Sequence, residues 1–216
     1  MKYIMIVVCF LYNISFAIAN DRGNDNMIQG NVDVLEKHLQ EDDRLLDANE
    51  NIHFIEAIQN ESVDENTYMT FPDIPSGNLV LSDKLHFKVS NFSSHKKMDS
   101  NNQVIGIIKS FRLVSLSDTN KSFSLHMEEC LGHDRYYEAR NDFLLGLRAT
   151  TMTFIPFIRW PENLGTISIA TKNSSNRSII WLYHNLYFDG VGLNLSQEEQ
   201  LIVLDWVQKQ VVKETL

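Results

Sequence analysis

Cysteine is almost missing from this chain, which carries only Cys9 and Cys130. Cys9 falls in a stretch with the pattern of a secretory leader. Met1-Lys2 gives a positive start, Tyr3 to Leu11 is a nearly unbroken apolar run, and Ala17 and Ala19 supply the small residues of a cleavage site. The expected leader spans residues 1–19 and is too short for a comfortable membrane span. With it removed, Cys130 is the one thiol, so no internal disulfide can form and the exported chain must rely on its core. That favours a periplasmic or otherwise extracellular bacterial location. Six Asn-x-Ser acceptor sites beyond the expected leader pull the other way, toward a eukaryotic secretory pathway: Asn60, Asn91, Asn120, Asn173, Asn176 and Asn194.

Long apolar runs are absent beyond the leader, so no integral membrane segment is expected in the mature chain. Positive charge is also scarce. Without Lys2, 18 bases face 28 acids, a net charge of −10, which disfavours nucleic acid and anionic membranes as partners. Glycine-rich motifs are missing as well. There is no G-x-S-x-G elbow, no phosphate loop and no dinucleotide fingerprint. "FDGVG" has an Asp-Gly turn signal but not the spaced acids of a calcium loop. No cofactor is implied by any of these patterns.

The charge that is present is unevenly spread. Asp21 to Glu65 holds 13 acids against Arg22, Lys37 and Arg44, a balance of −10, whereas 15 acids and 15 bases follow from Asn66 onward. The chain therefore divides into an acidic segment over 20–70 and a neutral domain over 71–216. In the acidic segment, Val32, Leu35 and Leu39 recur at helical spacing, as do Ile52, Ile55 and Ile58, which predicts two short amphipathic helices. Such a segment can be a solvated face, or a surface that steers a partner with a basic surface toward it. "ENTYMTFPDIPSGN", with Pro72, Pro75 and Gly77, reads as the linker.

Beyond the linker the period changes to two. "KLHFKVSN" alternates, and residues 104–116 and 122–128 form a predicted hairpin around the polar "SDTNKS". "TMTFIPFIRW" reads as a strand, with Pro156 at an edge or bulge. "TISIAT" and "SIIWLYHNLYF" form a second hairpin, with Ile179 to Phe188 as one central strand ending at a "DGVG" turn. The last segment is a helix opened by a Ser196/Glu199 capping box, with Lys209 and Lys213 near its end. The expected fold is α+β: an antiparallel sheet covered by a C-terminal amphipathic helix, preceded by a short helical acidic segment.

The densest group of reactive side chains is "SLHMEECLGHDRYYEA". His126, Cys130 and His133 could hold zinc, with Glu128, Glu129 or Asp134 as fourth ligand. Only one half of a paired structural motif is present, however. Strand alternation instead puts Phe123, Leu125 and Met127 inside and leaves His126 and Glu128 facing solvent, with Cys130 a small buried hydrophobe. A second chemistry is a cysteine-dependent hydrolase, with Cys130 as nucleophile before the helical "DRYYEARNDFLLGL" and His184 as base. Asn185 is poorly placed to orient His184 there, because strand neighbours point apart. Finally, Trp181, Tyr183, Asn185 and Tyr187 share one face of the expected central strand and could form the lip of a pocket. The function that follows best from these absences is an exported, non-enzymatic protein-binding module, of an inhibitor or immunity type, that masks a basic partner surface.

Overall fold

Apolar residues at alternate positions from Leu85 onward build one broad antiparallel sheet in the computed structural model, which describes residues 67–152, 157–161, 163–171 and 176–215. The strands are β1 (Thr67–Thr70), β2 (Gly77–Ser82), β3 (Leu85–Met98), β4 (Val104–Ser115), β5 (Ser122–Cys130), β6 (Phe157–Arg159), β7 (Ile167–Thr171), β8 (Asn176–Tyr183), β9 (Leu186–Leu193) and β10 (Val212–Thr215). Two helices interrupt them, α1 (Arg135–Met152) and α2 (Gln197–Gln210). The main sheet has the order β2-β3-β4-β5-β9-β8-β7-β6, and β1 and β10 pair separately as a two-stranded ribbon. The architecture is thus mostly antiparallel sheet with two helices, an α+β arrangement. The two amphipathic helices expected before residue 66 lie outside the described residues.

β4 and β5 form the expected hairpin, closed by the Ser115 N–H bonding the Lys121 carbonyl at 3.0 Å. β7 and β8 form the second. The expected central strand Ile179–Phe188 is corrected: it is two strands, β8 and β9, reversing at His184-Asn185. His184 adopts φ 53°, and Asn185 turns inward to satisfy backbone groups elsewhere. Such partners are tertiary, so the apolar period could not reveal the turn. "DGVG" is likewise not a turn but part of β9. Gly190 is there for space, since a Cβ at this position would lie 2.7 Å from Cζ of Phe123. The linker reading is corrected in part, because Thr67–Thr70 is a strand paired with Val212–Thr215. Of the strand expected over 151–160, residues 151–152 belong to α1, residues 153–156 lie outside the described residues, and Phe157–Arg159 is a strand.

α2 has the expected capping box: Ser196 Oγ accepts from the Glu199 N–H, and the Glu199 carboxylate accepts from the Ser196 N–H. The helix ends at Gln210. Lys213 therefore belongs to β10 rather than to the last helical turn. One core cluster joins Phe87, Leu113, Phe123, Met127, Trp181 and Phe188 of the sheet with Val203, Leu204 and Val207 of α2. At roughly 25 cal/mol per Å2 of apolar surface, each such side chain contributes about 2 kcal/mol on burial. α1 contacts β5, β8 and β9. Tyr187 and Leu182, and Asp189 and Ile180, are cross-strand partners on the face opposite Phe188 and Trp181. Among the described residues, no helix is long and apolar enough to cross a membrane.

Candidate functional site

β5 carries two different sets of side chains because successive residues point to opposite faces. Phe123, Leu125 and Met127 enter the main core, as alternation predicts. The other face was expected to be solvated, and for Glu128 that is corrected: the residue is only 6% exposed. The cause is tertiary. α1 crosses this face and brings Asp142 down beside Glu128, while β3 brings Lys97 in from the other side.

Register explains how Lys97 reaches the centre. Its cross-strand partner is Gly106, which in turn pairs with Cys130. With no side chain on Gly106, the lysine lies over β4: a Cβ there would sit 3.5 Å from the Lys97 Cβ and 3.6 Å from Glu128 Oε1. Lys97 Nζ donates to Glu128 Oε1 and lies 3.5 Å from Asp142 Oδ2. Cys130, fully buried, points its sulfur at the same two oxygens, 3.9 Å from each.

The electrostatics follow from burial and from crowding like charges. Burial lifts the Asp142 carboxyl well above the carboxylate range; Glu128 adds to this and Lys97 opposes it. Burial likewise lifts the Cys130 thiol, reinforced by Glu128 and Asp142 and opposed by Lys97. For Lys97, burial works downward, but Asp142 and Glu128 outweigh it and the ammonium is favoured. Burial drives the Tyr187 phenol up, with Asp189, Asp142 and Glu128 adding to it. Asp189 is pushed up to about 6 by burial. His126, opposite Asp189 across the strands, is pushed down by burial, with Glu128 opposing and His95 and Lys97 adding.

The metal set expected from sequence is not the set that converges. Among the described residues, the clustered donors are Glu128, Cys130 and Asp142, all within 4.8 Å of one another. His126 is not among them, and His133 is exposed in the turn before α1. Lys97 already places a cation between the two carboxylates, which is the charge a metal would otherwise supply. Asp142 and Lys97 were missed because they lie 14 and 31 residues from Glu128 in the chain, and nothing in their local spacing marks them.

The nucleophile pair is separated in role. The Cys130 thiol faces carboxylates, and a raised pKa keeps it protonated. His184 occupies the β8–β9 turn, its ring 5.1 Å from that of Tyr183 and 6.4 Å from that of Tyr136. Its neighbour Asn185 meets the Cys130 backbone: Asn185 Nδ2 donates to the Cys130 carbonyl at 3.2 Å, and the Asn185 carbonyl accepts from the Cys130 N–H at 2.9 Å. The expected aromatic lip is also corrected. The turn flips Tyr187 to the face of Glu128, while Trp181 is fully buried and stacked on Phe188 at 4.5 Å.

The arrangement can hold and pass protons between acids, bind an ammonium, and tie three elements together. No protein-family model matches this chain, and comparisons with curated proteins and with solved structures find no match either.

Proposed function

We propose that the protein is an exported, periplasmic or extracellular, non-enzymatic binding module whose acidic segment recognises a protein with a basic surface. The observation that carries this reading is the charge partition: −10 over Asp21 to Glu65 against a neutral remainder. Opposite potentials speed encounter and fix orientation more than they add raw affinity. The sheet then serves as scaffold, with the C-terminal helix as its cover and the helical acidic segment in front. The Lys97, Glu128 and Asp142 network supports the reading because its charges are engaged with one another. A hydrolase reading would need a thiolate at Cys130, and burial among acids works against one.

The test is a pull-down from an extract of the producing cells at low and high salt, using the mature chain and a version lacking residues 21–65. Expected is a captured partner with a basic surface that is lost at high salt and in the truncated chain. Capture that is insensitive to both changes would sink the electrostatic reading.

A further inference from the structure

An exported chain without disulfides, held together at one point by a half-buried lysine and two acids, invites the question of whether that point is only an ion pair. We propose that Lys97 and Asp142 are the ends of an intramolecular amide cross-link, with Glu128 as the group that moves the protons. The inference does not depend on the binding function.

Three observations carry it. The amine and the carboxyl it would attack are already in contact: Lys97 Nζ is 3.5 Å from Asp142 Oδ2, on the group whose Cγ is the electrophile. A second carboxyl, Glu128, accepts directly from the same Nζ and lies beside Asp142, as proton transfer between them requires. Water is largely excluded, with Glu128, Lys97 and Asp142 side chains only 8%, 19% and 20% exposed. Exclusion of water favours net-neutral states and opposes the reverse hydrolysis.

The step balances without an outside reagent. At rest the group is an ammonium on Lys97, a carboxylate on Glu128 and a neutral carboxyl on Asp142. Burial supports the last of these. One proton passes from Lys97 to Glu128 along their hydrogen bond, leaving a free amine with no change in total charge. The amine lone pair attacks Asp142 Cγ and forms the C–N bond. Glu128 gives its proton to the departing oxygen and takes one from the nitrogen. The C–O bond breaks, one water leaves, and Glu128 ends protonated as it was before attack. Nothing is oxidised or reduced. The product ties β3 to α1, fixing on the sheet a helix that packs on β5, β9 and β8.

The experiment is intact mass and peptide mapping of the purified full-length chain, unfolded before measurement. Expected is a species one water lighter than the sequence requires, with a branched peptide joining Lys97 to Asp142. Lys97→Arg keeps the positive charge but lacks the nucleophile, and Glu128→Gln keeps the shape but cannot relay protons; both should show the full mass. A wild-type mass equal to the sequence mass after prolonged incubation overturns the proposal. So does a water loss that persists in Lys97→Arg or Asp142→Ala, because the dehydration would then lie elsewhere. The wild-type measurement decides even if a variant fails to fold.

Discussion

Asn185 Oδ1 accepts the Met69 N–H at 2.7 Å, and Asn185 Nδ2 donates back to the Met69 carbonyl at 3.0 Å, across 116 residues of chain. The side chain acts as an extra peptide group. It pairs the ribbon strand β1 to the β8–β9 turn, and a third bond reaches Cys130. Asn185 is fully buried, so none of these bonds competes with water.

Replacing Asn185 by Ala leaves buried backbone groups unpaired, at about 1–3 kcal/mol for each group left unsatisfied. Expected for Asn185→Ala is a loss of about 2–3 kcal/mol in urea unfolding. Hydrogen exchange at the Met69 amide should accelerate more than at Leu125. A uniform change in exchange would show instead that β1 is not held locally by this residue.

Asp189 gives the protein a pH dependence of definite sign. Its pKa rises from 3.8 to about 6 through burial, so the folded chain holds this proton more tightly than the unfolded chain. The contribution is present at low pH and is lost as pH rises through about 6. Asp189→Asn should therefore be more stable than the wild type near neutrality, by the order of 2 kcal/mol, with no gain near pH 4. Unfolding midpoints at the two pH values check this, and an equal shift at both would contradict it.

Cys130 should be a silent thiol. It is fully buried and protonated in the native state. Alkylation of the native protein at mild pH should be at least about tenfold slower than that of the unfolded chain, where the thiol recovers its ordinary pKa. Fast native labelling would reopen the question of a reactive cysteine.

The N-terminus of α2 rests on Ser196 and Glu199, with Lys121 bonded to Glu199 Oε1 at 2.7 Å. Ser196→Ala should cost about 1 kcal/mol. Lys121→Met should cost only a few tenths, because that pair is partly solvated. Thermal unfolding of the two variants measures the order, and a larger loss from Lys121→Met would reverse the assignment.

Local periodicity made much of the fold legible. The β4–β5 hairpin and the capped α2 follow from patterns within a dozen residues, where side-chain alternation and capping chemistry act. The β8–β9 turn was not legible, because His184-Asn185 reverses the chain for the sake of Met69 and Cys130. The candidate site was half legible. Glu128 and Cys130 stood out as a dense polar stretch, but Lys97 and Asp142 reach them only through strand register and helix packing.

By itself, the sequence determined the charge partition, the scarcity of thiols and the period-two strands, since these depend on composition and near neighbours. Tertiary structure alone decided that Glu128, on the second face of β5, is buried. Once α1 lies across it, Glu128 cannot keep its water, and a face written as solvated becomes a closed network of acids, a thiol and one lysine.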